Sequence, residues 1–148
     1  MNEFEKIQFN GTFRDYQQRI LDNSARYLKD GKINIVAAPG SGKTILGLEL
    51  IRRLGNRCLI LSPTTAIREQ WGQRFKDLFL NDKNSFSDLF STDLHTVRLI
   101  NSITYQALYA MSEKIKQPEE TVDYTDFDLL QTIKEHNIKT ICLDEAHH

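Results

Sequence analysis

The sequence predicts an α/β fold: a parallel sheet with helices packed on both faces. Three observations predict it. Short apolar runs rich in β-branched residues alternate with helical stripes, a glycine-rich loop sits between one such run and a helix, and the last run ends in paired carboxylates. Strands covered on both faces are apolar throughout rather than alternating. In sheets of this kind ligands gather at the carboxyl ends of the strands, and both polar motifs fall at such ends.

Each element follows from its residues. From Asp15 to Lys29 the side chains of Tyr16, Ile20, Ala25, Tyr27 and Leu28 form a rough helical stripe, ended by Gly31. Ile33–Ala38 (INIVAA) reads as a buried strand. After the glycine-rich loop, TILGLELIRRL forms a helix stopped by Gly55, and Arg57–Ser62 forms a second strand. Pro63 breaks that strand, and Thr64 or Thr65 can cap a helix running to about Leu80. Residues 81–95 are rich in Asn, Asp and Ser and read as a loop, with one helical turn around Phe86–Phe90. Thr96–Ile100 is predicted as a third strand, followed by a helix starting near Ile103. The stretch from Glu113 to Asp128 carries Pro118 and several acidic residues and reads as a solvated surface loop. DLLQTIKEHN is a helix, and Lys139–Asp144 is the fourth strand.

Composition bounds the function. With 148 residues, 40% of them hydrophobic and 26% charged, the chain has the size and balance of one globular domain. No stretch approaches the ~20 apolar residues of a membrane span. The start, MNEFEKIQFNG, lacks the apolar centre of a secretory signal, so a cytoplasmic location is expected. A net charge of -1 gives no bulk attraction for nucleic acid, so such contacts would rest on local donors. Cys58 and Cys142 sit in apolar runs and read as small buried hydrophobes, neither a disulfide nor zinc ligands. His147 and His148 lack further ligands at metal-binding spacing.

Ala37-Ala38-Pro39-Gly40-Ser41-Gly42-Lys43-Thr44 carries the strongest chemical signal. Successive backbone N–H groups can curl around phosphate oxygens only where small residues permit unusual dihedrals, here Gly40 and Gly42. The helix that follows adds its positive end. Lys43 would reach the β- and γ-phosphates and the Thr44 hydroxyl would ligate magnesium. At the end of the last strand, Asp144 can hold the metal, directly or through water. Glu145, one residue on, points differently and can orient or deprotonate the attacking water.

Together these residues resemble the superfamily 2 helicases, in the branch of the type III restriction motor subunits and excision-repair helicases. Ala37–Thr44 has that superfamily's form of the phosphate loop, and Asp144-Glu145-Ala146-His147 looks like its Asp-Glu-x-His motif. Phe13-Arg14-Asp15-Tyr16-Gln17 resembles the adenine-recognising segment, in which Gln17 would read the base edge. Ser62–Trp71 resembles motif Ia, and Thr104–Leu108 a later nucleic-acid-contacting motif. The resemblance implies a RecA-like P-loop NTPase lobe binding ATP and Mg2+, with Lys43, Asp144 and Glu145 catalytic. The nucleotide would be held by Gln17, Pro39, Gly40, Ser41, Gly42, Lys43 and Thr44, and the metal by Thr44 and Asp144. Pro63, Thr64, Arg68 and Thr104 would contact nucleic acid, DNA rather than RNA, through hydroxyls and amides as much as charge.

For Arg68 a solvated surface position, and for Trp71 a core position, stand beside any role at the polymer. The family's Ser-Ala-Thr motif and second RecA-like lobe do not occur in this sequence. Residues 1–148 therefore read as an incomplete N-terminal ATP-binding domain of a longer motor, which would hydrolyse ATP poorly alone. That motor could also carry nuclease or specificity domains. The competing readings are a P-loop ATPase that remodels protein or acts as a switch, and an interaction module that kept only the fold.

Overall fold

Apolar runs become a sheet here because helices cover both of its faces. The structure, a computed structural model, describes residues 3–24, 32–36, 42–118 and 120–145. The strands are β1 (Lys32–Val36), β2 (Cys58–Ser62), β3 (Phe90–Ser91), β4 (Ile100–Thr104) and β5 (Thr140–Glu145). The helices are α1 (Asp15–Asp22), α2 (Lys43–Leu54), α3 (Thr65–Phe79), α4 (Phe86–Leu89), α5 (Tyr105–Glu113) and α6 (Leu129–His136). All strand pairings are parallel, in the order β1-β5-β2-β4-β3. Inserting β5 between β1 and β2 brings Asp144 and Glu145 beside the carboxyl end of β1 and the start of α2.

All five residues of β2 are buried, and they divide between the two faces as the period of 2 requires. Cys58 and Ile60 pack with Leu48, Ile51, Trp71 and Phe75, on the side of α2 and α3. Leu59 and Leu61 pack with Ala107, Ala110, Met111 and Tyr124, on the side of α5, with Leu129 and Ile133 of α6 packed against that cluster. Along α3, Trp71, Phe75 and Phe79 recur every fourth residue and are fully buried. The segment before α1 is tied to the far end of this helix: the Gln8 and Asn10 amides donate to the Phe79 and Leu78 carbonyls, and Phe9 stacks on Phe13. That tether sets where α1, and with it Gln17, meets the sheet. Both cysteines are free and buried, as expected. Burial pushes the Cys58 thiol up to about 12 and raises Cys142 as well, so neither is a nucleophile at neutral pH.

Four expectations need correction. The third long strand is Ile100–Thr104, not Thr96–Ile100. Its Asn101 and Ser102 look like loop residues but are fully buried. The Asn101 amide donates to the Cys58 and Arg98 carbonyls and accepts from the Arg98 amide, which satisfies it inside the sheet. The succeeding helix accordingly starts at Tyr105. Residues 81–95 also contribute an edge strand, β3, against β4. The stretch from Glu113 to Asp128 is not simply solvated, because Tyr124 and Glu120 are buried. The Tyr124 hydroxyl accepts the Leu94 amide at 2.9 Å, with its ring against His95 and Phe127. The helix predicted over Asp15–Lys29 also ends early, at Asp22 with Asn23 as its C-cap, and its part from residue 25 onward lies outside the described residues.

Candidate functional site

The chain enters α2 through Gly42, the helix N-cap. Its φ of 81° is a conformation that a side chain resists. Space is closed too, since a Cβ at this position would collide with the Gln17 amide nitrogen. Gln17 is buried and both ends of its amide are engaged. Its Oε1 accepts the Arg14 amide at 2.8 Å, and its Nε2 donates to the Gly42 carbonyl at 3.0 Å. The proposed reader of adenine is thus also a brace between α1 and the phosphate loop. Beside it the buried Tyr16 hydroxyl has no partner among the described residues.

Lys43 and Thr44 open the first turn of α2, where backbone N–H groups have no partner inside the helix. The Lys43 ammonium lies 2.6 Å from Asp144 Oδ1, across 101 residues of sequence. Strand pairing makes the contact: β1 and β5 align Ile35 with Asp144 and Val36 with Glu145, at the carboxyl ends of both strands. The other oxygen of Asp144 accepts the Trp71 indole N–H at 2.9 Å, and both residues are fully buried. Glu145 is exposed, on the opposite pleat. Burial raises the Tyr105 phenol, and the negative charges of Glu145 and Asp144 raise it further, which places Tyr105 within their field.

This donor set fits a magnesium-bound triphosphate. Thr44 and Asp144 offer hard oxygen ligands, Lys43 offers a cation, and the helix start offers free N–H groups. The unpartnered Tyr16 hydroxyl adds a polar group that a ligand could satisfy. Ala37, Pro39, Gly40, Ser41, Ala146, His147 and His148 lie outside the described residues.

The residues expected at nucleic acid gather along the same sheet edge. β2 and β4 align Ser62 with Thr104, so the helices that follow begin side by side. The Thr64 hydroxyl caps α3 by accepting the Ile67 amide, and the Thr104 hydroxyl caps α5 by accepting the Ala107 amide, each at 3.1 Å. The Gln106 amide donates to the Pro63 carbonyl at 3.3 Å and joins the two turns. Thr64 is exposed, whereas Thr104 is fully buried. Arg68 is not a solvated surface arginine, since its side chain is only 12% exposed. Glu120 takes it at 3.0 Å and also accepts the Thr104 hydroxyl at 2.9 Å, while Glu69 takes the other edge of the guanidinium.

Pro63, Thr64, Arg68 and Thr104 are therefore brought together, but Arg68 and Thr104 share an internal carboxylate. Sequence reasoning missed Glu120, whose acidic, proline-bearing surroundings resemble any solvated loop. It also missed the link from Trp71 to Asp144, although it anticipated a core position for the ring.

Among the described residues no helix is long and apolar enough to cross a membrane. A family model described as "Type III restriction enzyme, res subunit" matches residues 10–148. Over 58 residues the chain is 38% identical to a Haloarcula marismortui protein named "Putative DNA 3'-5' helicase Rad25", a match covering 39% of this chain and 9% of that protein. With the motif-bearing edge of an all-parallel sheet and a family match over nearly its whole length, the chain belongs to the family of the type III restriction enzyme res subunit.

Proposed function

We propose that this chain is the ATP-binding lobe of an ATP-dependent helicase or translocase that works on DNA in preference to RNA. One observation carries the reading. A lysine at the start of the loop–helix turn and an aspartate at the end of a neighbouring strand meet at 2.6 Å, on the edge that also gathers Pro63, Thr64, Arg68 and Thr104. Membership of a motor-subunit family supports it, and so does likeness to a protein whose name is that of a DNA helicase.

Each residue has a task that follows from its position. Lys43 gives up Asp144 and turns to the phosphates, and the start of α2 with Gly42 supplies N–H donors to them. Thr44 and Asp144 would hold the magnesium through hard oxygen donors. Glu145, exposed at the end of β5, takes a proton from water or orients it. Gln17 transmits the position of α1, and of any base it recognises, to the Gly42 carbonyl. When bound, magnesium-ATP supplies the phosphoanhydride bond whose cleavage drives the cycle. Family membership points to a second RecA-like lobe in the same protein, which would close over the nucleotide.

Two measurements test this. Replacing Glu145 with Gln in the two-lobed protein should keep nucleotide affinity and lower turnover by at least 100-fold, on the order expected when a catalytic base is lost. Duplex DNA should stimulate ATP hydrolysis by the unaltered protein. Turnover indifferent to both DNA and RNA would overturn the motor reading in favour of a switch or protein-remodelling ATPase.

A further inference from the structure

We propose that Trp71 is the positioning residue for Asp144, fixing through its indole N–H which carboxylate oxygen faces the metal. This inference rests on the nucleotide-binding reading above and goes beyond the assignment of ligands.

An aspartate at a strand end can rotate its carboxylate about a soft terminal torsion, which leaves its two oxygens interchangeable. Here they are not. Oδ2 accepts the Trp71 indole N–H at 2.9 Å, and Oδ1 faces Lys43 at 2.6 Å. The indole has one donor and no acceptor, so it can hold a carboxylate oxygen but cannot compete for the metal or the phosphates. Trp71 itself cannot wander. It is fully buried, in the same cluster as Phe75, Ile60 and Cys142.

When Lys43 leaves for the phosphates, the oxygen it frees is Oδ1, already aimed at the loop–helix turn, while Trp71 retains the other. The side chain enters metal binding with its rotamer set, which is the usual role of an outer hydrogen-bond partner. The geometry has a second consequence. Arg68 sits one turn before Trp71 on α3, so the helix that presents Thr64 and Arg68 at the polymer edge also carries the donor that orients the metal-binding carboxylate.

The test compares affinity for a fluorescent ADP analogue with magnesium and with EDTA, in the unaltered chain and in Trp71→Phe. The phenyl ring fills most of the indole's space and lacks the N–H. Magnesium should strengthen nucleotide binding in the unaltered chain, and Trp71→Phe should reduce that gain by about 10-fold while leaving affinity in EDTA within about twofold. A merely structural tryptophan would lower both affinities in parallel, or leave the magnesium gain untouched, and either result overturns the proposal.

Trp71 is the only tryptophan, so the unaltered chain offers an independent readout should the variant fold poorly. Its indole N–H resonance should stay hydrogen-bonded in the nucleotide complex and shift when magnesium is added. A resonance blind to magnesium contradicts the assignment. Absence of nucleotide binding by the unaltered chain, with or without magnesium, would instead remove the nucleotide reading on which the proposal stands.

Discussion

At the carboxyl ends of the strands, the Lys43–Asp144 corner and the Arg68–Glu120 edge each hold a shielded cation, with different partners. At the corner the Lys43 ammonium is held by Asp144, whose proposed role lies at the same ligand. At the edge the Arg68 guanidinium is held by Glu120, which belongs to no motif and arrives from a distant, irregular segment. The corner pair can release both members into useful contacts, because phosphates attract the lysine and the metal attracts the aspartate. Release at the edge frees Arg68 and Thr104 for phosphate but leaves Glu120 as a buried anion with nothing to replace them. Under the proposed function the corner is thus preloaded for its ligand, and the edge is occupied against it.

The largest effect should follow from breaking the corner. Lys43→Ala strands the buried Asp144 charge with only the Trp71 N–H, and should cost about 3 kcal/mol of stability, read by denaturant unfolding. Adding Asp144→Asn should restore part of that loss, because the anion is gone. Gly42→Ala comes next. A left-handed φ and a collision with Gln17 should together cost about 2 kcal/mol and loosen α1 from the loop, visible as faster hydrogen exchange in both segments.

At the edge, Glu120→Gln keeps a hydrogen-bonding amide but removes the charge. It should tighten binding of a short DNA duplex about fivefold and steepen the salt dependence by about 0.9, the increment for one more phosphate neutralised. Weaker binding with an unchanged salt slope would mean that Glu120 supports the edge rather than competing for it.

How much of this was legible follows from chemistry rather than from length of run. β2 and β5 were readable because apolar, β-branched segments have few other stable fates. β4 was displaced by four residues because its centre is Asn101 and Ser102, and a buried asparagine there is explained by its bonds to the Cys58 carbonyl across the sheet and to the Arg98 backbone. That Lys43 and Asp144 belong to one site was legible because their neighbours in sequence carry a pattern, and the structure brings the two side chains together. Glu120 was not, since its partners Arg68 and Thr104 are 52 and 16 residues away.

The smallest expected effect calibrates the others. On α2 the buried Glu49 accepts Arg52 at 2.7 and 2.8 Å and Arg53 at 2.7 Å, a pairing that serves structure alone. Burial pushes its carboxyl up, but the two guanidiniums together outweigh burial and hold it below the usual range. A depressed carboxyl contributes stability above its unfolded pKa and loses it as pH falls through the folded value. Glu49→Gln should therefore cost about 1 kcal/mol near neutrality, discounted for the partly exposed arginines, with the difference vanishing in acid. Thermal midpoints of both proteins across pH check it.

The most direct measurement is a crystal structure of this lobe with magnesium and a non-hydrolysable ATP analogue. Lys43 should have left Asp144 for the phosphates, and Asp144 should face the metal with one oxygen while the Trp71 N–H keeps the other. A triphosphate bound elsewhere, with Lys43 and Asp144 still joined, would contradict the account.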